Sequence, residues 1–467
     1  MTIIQILIFS IAALPLMFLL PATVRAWGLL LGSLLGVAWL MGEGGFTQVS
    51  YLLLFGTITL TGMTWWLIRP AGVVAAEDRV SLSIVVLFLV GLLLLIDART
   101  PVLASVMFGG AALSVLRFAP GDAKTSFLQR RLLAGMVMVI VGLLVVLKLP
   151  ELARLAGYSL NWNAGRIADA SPLVWLGFSY IAFRLIALLQ DARAGRLPTE
   201  GYSLREVMTY VLFFPAFTAG PIDRAQRFIS ELREAKPLTS ASFVEGVGRI
   251  AIGLTKKFLI ADTLALVAMQ PDLIDQADTI LGLWVLLYLY TFQIYLDFSG
   301  YSDVAIGIGR LLGITLPENF DRPYLQPNIQ QFWQRWHITL STWFRVYYFT
   351  PFSRALIRSS YTFPQWSIVL SSQITTMTLI GLWHGITWNF FVWGLWHGVG
   401  LFVFKIISDN TRNWYKRIGS PKWAKRSLHV FSVLLTFHFV ALGWVFFALT
   451  DLEMSLGMLL RLFGLGG

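Results

Sequence analysis

The chain has 467 residues, of which 57% are hydrophobic and only 13% charged, with a mean hydropathy of +0.70. Soluble domains carry roughly 25% charged residues, so this composition excludes a water-solvated protein and requires a polytopic membrane protein. The net charge of +11 is the excess of Lys and Arg that orients short cytoplasmic loops rather than a nucleic-acid signal. The absence of cysteine excludes disulfides, thiolate metal sites and a cysteine acyl-enzyme.

Apolar segments of about 17–25 residues, enough to span a bilayer, recur along the chain. They cover 3–22, 26–42, 49–69, 80–97, 101–118, 131–149, 171–190, 206–220, 243–269, 279–298, 365–383, 387–407 and 428–449. Segments near 301–315 and 331–350 are richer in polar and aromatic residues and are expected to be tilted or re-entrant. The pattern predicts an all-α fold of roughly 11–14 transmembrane or re-entrant helices. The first run lacks a small-residue cleavage site and reads as a retained helix.

Residues 1–150 hold monotonous Leu/Val/Ile/Gly runs and are expected to form packing or lipid-facing helices. From Trp162 onward, polar and aromatic residues enter the apolar runs, so 151–467 is expected to form one continuous functional membrane domain. Basic stretches mark cytoplasmic loops: Arg117, Lys124, Arg130 and Arg131; Lys256 and Lys257; and Arg412 to Arg426. No internal repeat supports an inverted-repeat carrier.

Chemistry concentrates around histidines. His337 lies in "FWQRWHITLSTWF", and helical spacing puts His337, Ser341 and Arg345 on one face, with Trp336 beside them. This stripe either lines a water-accessible cavity or carries a histidine satisfied by a neighbouring carbonyl. His384 lies in "LIGLWHGITWNFF", next to Trp383 and between Gly381 and Gly385, which permit close approach of backbone or substrate. A desolvated imidazole stays neutral near pH 7 and can take a proton from an attacking hydroxyl; a core histidine is the alternative. Asn389 is a candidate oxyanion donor. One continuous helix would point His397 away from His384, so His397 reads as packing or cavity lining, as do His429 and His438.

Gln293 and Asp297 stand one turn apart in an apolar run, and Asp303 follows in a Gly/Ser-rich break. Buried carboxylates need partners, for which Arg310 and Arg322 are candidates. An internal network is favoured here over a substrate or ion path. "FFPAFTAGPIDRAQRF" breaks an apolar segment and supplies Asp223, Arg224 and Arg227, as anchors or as contacts for an anionic cofactor. No metal-ligand spacing is present.

In order, the stretches "FFPAFTAGPIDRAQRF", "GLTKKFLIADTLA", "YTFQIYLDFSGYSDVAIGIGRLLGITLPENFDRPYL", "FWQRWHITLSTWFR", "LIGLWHGITWNFFVWGLWHG" and "ALGWVFFAL" resemble the membrane-bound O-acyltransferase family. The branch they resemble contains alginate O-acetylation and teichoic-acid D-alanylation proteins. The resemblance implies a helical shell around a central tunnel in a bacterial plasma membrane. It implies His384 as the catalytic histidine and His337 as a second signature residue. It also implies a cytosolic thioester donor, acetyl-CoA or an acyl-carrier protein, with transfer to a hydroxyl of an extracytoplasmic glycan or partner protein. An extracytoplasmic acyltransferase partner is part of the same expectation. Val346 stands where the acetylation pattern carries Asp, so D-alanyl transfer stays open. A lipid-linked sugar transporter is the alternative from another class.

Overall fold

A backbone in hydrocarbon must satisfy its polar groups internally. Accordingly, the described residues form helices and no strand. The structure is a computed structural model that describes residues 2–18, 20–42, 48–70, 75–94, 123–160, 171–234, 236–417, 421–449 and 451–465. The expected segment 101–118, and Arg117 with it, lies outside these residues. Six described helices are long and apolar enough to cross a membrane: Val24–Met41, Val49–Ile68, Gln129–Lys148, Ile280–Leu311, Trp388–Thr411 and Lys422–Ala448. The other expected spans that are described fall on shorter, less apolar or interrupted helices.

The chain divides into two compact units. The first comprises Met1–Ile250 with Val304–Pro317, and the compositional change near residue 150 falls inside it. Its helices are α1 (Ile3–Phe18), α2 (Ala22–Met41), α3 (Gln48–Ile68), α4 (Ala76–Leu94), α5 (Ala123–Lys148), α6 (Pro150–Leu160), α7 (Phe178–Arg193), α8 (Leu204–Leu212) and α9 (Ala225–Glu234). The start of α10 (Ser240–Leu254) completes the set.

The segment expected to span at 206–220 is instead a nine-residue helix followed by a break. Ser203 and Glu206 start α8 with a reciprocal capping box, which satisfies two orphan N–H donors. Pro215 then enters a single 3-10 turn at Phe214–Ala216, because its ring cannot continue an α-helix. A helix ended this way leaves carbonyls without intrahelical partners. Arg184 of α7, only 2% exposed, donates to the carbonyls of Tyr210 (3.1 Å), Val211 (2.9 Å) and Ala216 (2.7 Å). This buried guanidinium splints the break, and sequence reading had not singled it out.

The second unit comprises Ala251–Asp303 with Glu318–Gly467. After the end of α10 it holds a π-turn at Thr255–Ala261, then α11 (Asp262–Ala265), α12 (Pro271–Asp275) and α13 (Ile280–Leu311), whose last residues from Val304 belong to the first unit. Two short helices follow, α14 (Ile329–Arg335) and α15 (Ile338–Phe344), then a second π-turn at Arg345–Phe349 and α16 (Thr350–Ile357). The unit ends with α17 (Gln365–His384), α18 (Trp388–Arg417), α19 (Lys422–Ala448) and α20 (Leu452–Leu462).

Helices α17 and α18 form a hairpin that two glycines make possible. A Cβ on Gly381 would lie 2.1 Å from the carbonyl oxygen of Phe390, and one on Gly394 would lie 2.5 Å from that of Met377. Small residues let membrane helices approach this closely. The room at Gly381 is therefore taken by backbone.

Replacing Arg184 with Met should leave three buried carbonyls without their donor. The expected cost is about 3–5 kcal/mol, the scale for removing one member of a buried charged network. Thermal unfolding in detergent should show a clearly lowered midpoint; an unchanged midpoint would exclude the splint.

Candidate active site

His337 does not sit within a helix, as its spacing suggested. It occupies the break between α14 and α15 with φ 42° and ψ 55°, in the left-handed region that few non-glycine residues adopt. Two backbone bonds tie this turn to the preceding loop: Asp321 N–H to Arg335 O (3.0 Å) and Ile338 N–H to Asn319 O (3.0 Å). Residues held in such conformations persist only where the surroundings enforce them.

Asn319 does the enforcing. It is fully buried, and its Oδ1 lies 3.1 Å from His337 Nδ1, 2.7 Å from Thr339 Oγ1 and 3.4 Å from the Thr339 backbone N. A backbone N–H can only donate, so the Asn319 atom it meets is the oxygen. His337 must then carry its proton on Nδ1, which leaves a lone pair on Nε2. The Asn319 amide donates in turn to Ser302 Oγ at 3.3 Å. His337 is 2% exposed, and Nε2 has no hydrogen-bond partner among the described residues. Burial pushes the imidazole pKa down to about 3, so the ring is neutral across the physiological range. Asn319 lies in "LPENFDRPY", and nothing in its local pattern announced this role.

His384 is the last residue of α17 and is half-buried; the chain leaves the helix through extended Gly385. Its ring lies 4.5 Å from that of Trp383, 4.8 Å from Phe447 and 5.6 Å from Trp393. Trp383 is also 6.3 Å from the ring of His337, whose other close neighbour is Phe298 at 4.6 Å, edge to face. The two histidines, far apart in sequence, thus both neighbour one indole.

His397 does not share one continuous helix with His384. The two lie on opposite arms of the α17–α18 hairpin, and Trp393 stands between their rings, 5.0 Å from His397. His397 is completely buried and also touches Trp333 at 5.2 Å. His438 bridges Leu434 O and the hydroxyl of Tyr288 at 2.7 and 2.8 Å, a packing role, while His429 is exposed.

Around this centre the other candidates separate. Trp336 is buried among Phe320, Phe332 and Trp444. Ser341 follows His337 by one turn, with its backbone N–H on His337 O (3.0 Å), and is half-buried; Arg345 starts the π-turn and is exposed. Burial therefore declines from His337 to Arg345. Gln293 is half-buried on α13.

Asn389 is occupied elsewhere. Its amide nitrogen bonds Leu449 O (2.6 Å), Asp451 O (3.2 Å) and Ser455 Oγ (2.9 Å). Its two protons hold the α19–α20 corner, which removes it as an oxyanion donor.

The carboxylates of α13 find lysines, not the expected Arg310 or Arg322. Lys256 meets Asp303 at 2.7 Å, and Lys257 meets both Asp297 and Asp262 at 2.6 Å. Close packing at Gly300 allows this, since a Cβ there would lie 2.9 Å from Gly253 O and from Lys256 Cβ. Helix α13 runs unbroken through the Gly/Ser stretch. In the first unit, Arg227 is committed to Asp223, Glu231 and the Thr315 carbonyl, and Arg224 is exposed. Among the described residues no group of three His, Asp or Glu is placed to hold a metal.

The family model for the membrane-bound O-acyltransferases matches residues 121–433. The chain is 31% identical to a teichoic acid D-alanyltransferase of Bacillus subtilis over 278 residues, 59% of this chain and 68% of that one. It is 37% identical to a peptidoglycan O-acetyltransferase of Helicobacter pylori over 277 residues, 58% of this chain and 49% of the relative. It is 33% identical to a probable alginate O-acetylase of Pseudomonas aeruginosa over 356 residues, 75% of this chain and 64% of the relative. The matches thus span about half to two-thirds of these relatives. The long apolar helices, the paired histidines and these matches lead to one conclusion: this chain is a multi-pass membrane protein of the membrane-bound O-acyltransferase family.

Proposed function

We propose that the protein transfers an acyl group, in the simplest case acetyl, from a cytosolic thioester to a hydroxyl on an extracytoplasmic glycan or partner protein. The observation that carries this reading is that two unlike imidazoles neighbour the same indole, Trp383, one half-buried and one fully buried. His384, the accessible ring, takes the proton as the hydroxyl oxygen attacks the thioester carbonyl. The C–O bond forms, the C–S bond breaks, and the departing thiolate recovers that proton from the imidazolium. His337 presents its Nε2 lone pair to an N–H or O–H group of a reactant, and Asn319 positions His337. Enclosure by aromatic rings keeps bulk water from the thioester.

Acetyl-CoA is the donor in this reading. Transfer of D-alanyl from a carrier protein is the second reading, favoured by the likeness to the teichoic acid D-alanyltransferase. Turnover by purified protein with acetyl-CoA as the sole acyl source supports the first. Turnover only with a charged carrier protein supports the second.

His384→Ala should reduce transfer of a labelled acyl group by about 10²–10⁴-fold, the usual contribution of a positioned general base, with the thermal midpoint retained. Wild-type transfer rates in a normally folded variant would sink the assignment.

Asn319→Asp places a carboxylate against His337 Nδ1 and favours the charged ring. The acid limb of its pH–rate profile should therefore move to higher pH than that of the wild type, as protonation removes the Nε2 lone pair. Asn319→Ala should lower kcat without that shift. Superimposable profiles for wild type and Asn319→Asp would dismiss Asn319 as a positioning residue.

A further inference from the structure

Helices α1 and α2 of the first unit leave an apolar cleft of about 340 Å³ between them, bounded by Phe214 and Leu312. That volume is in the range of sites that hold small ligands. Its aromatic wall is Phe9, packed 5.2 Å from Trp39 and 4.5 Å from Phe214. One side is a face of α2 carrying Gly32 and Gly36. The two glycines differ. A Cβ on Gly36 would lie 3.0 Å from the Phe214 side chain, whereas one on Gly32 would meet no protein atom within 4 Å. Protein packing explains the missing side chain at Gly36 but not at Gly32, where the space is open.

One end of the cleft carries two basic side chains beside a carboxylate. A smaller notch shares Leu29 and Leu312 with it and is lined by Arg25, Lys236 and Glu231. Glu231 is already engaged by Arg227 and the Thr315 backbone N–H. Arg25 donates from Nε to Leu20 O at 2.9 Å and from Nη1 to Lys236 O at 3.4 Å. Lys236 is paired with Glu234 at 2.9 Å, but both side chains are half-exposed, and such surface pairs exchange readily. A hydrocarbon slot ending at basic side chains matches the two halves of an anionic lipid, and basic pockets between membrane helices recognise such headgroups.

We propose that this cleft binds an anionic phospholipid of the bilayer, with one acyl chain along the Gly32 face and the phosphate at Arg25 and Lys236. The acyl chain fills space that no side chain of the described residues occupies, and the headgroup reinforces the Arg25–Lys236 O bond that joins α2 to the segment after α9. A zwitterionic lipid would fill the slot equally but gain less from the two basic side chains. The site lies in the first unit and is independent of the histidine centre and of the acyl-transfer reading.

The test uses delipidated full-length protein in detergent, supplied with phosphatidylglycerol or phosphatidylcholine and read by native mass spectrometry and thermal midpoint. Wild type should retain phosphatidylglycerol preferentially and gain a larger midpoint shift from it. Arg25→Gln combined with Lys236→Gln should erase that preference while leaving the phosphatidylcholine effect. Gly32→Leu should plug the slot and lose the bound lipid of both kinds, without lowering the lipid-free midpoint. If the double variant fails to fold, Lys236→Gln alone, at an exposed position, should halve the preference. Equal response of wild type to the two lipids overturns the proposal, as does a preference that survives the glutamine variants. Undiminished binding by Gly32→Leu overturns it as well.

Discussion

A single amide oxygen organises the centre of the second unit. Asn319 Oδ1 receives the His337 ring N–H together with the hydroxyl and backbone N–H of Thr339. Those bonds hold a non-glycine residue in the left-handed region, separate α14 from α15, and select one tautomer of the ring. A helix running straight through His337 would have bonded its backbone locally and pointed the imidazole elsewhere. Strain at a functional residue persists only when neighbours over-determine it, and here the neighbours are a buried polar cluster closed by Ser302.

Polar groups elsewhere in this lipid-soluble chain follow the same logic of obligatory partners. Arg184 spends its guanidinium on the carbonyls of a broken helix, and Lys256 and Lys257 neutralise the carboxylates that α13 carries into an apolar neighbourhood. Asn389 holds the corner between α19 and α20. Each satisfies a structural need. His337 Nε2 has no partner among the described residues, and neither have Arg184 Nε or the two ring nitrogens of His397. His337 adds to this a left-handed backbone and a ring that shares Trp383 with the half-buried His384.

What the amino-acid order determined by itself is what depends on local composition. Runs of Leu, Val and Ile too long and too apolar for water dictate membrane helices, Pro215 dictates a break, and paired glycines dictate close helix approach. The ordered motifs around His337 and His384 identify the family, because short-range patterns of Trp, Gly and His survive as text. Tertiary structure alone decided which polar residues meet. Asn319 reaches His337 and Asn389 reaches Ser455 across gaps that helical periodicity does not bridge. The turn after His384 folds His397 back beside Trp393, where an assumption of one continuous helix had placed it apart. Periodicity reports which face of one helix a side chain shares. Which faces then press together is set by packing of the whole chain, and the hydrogen bonds of a buried polar group are drawn from that packing.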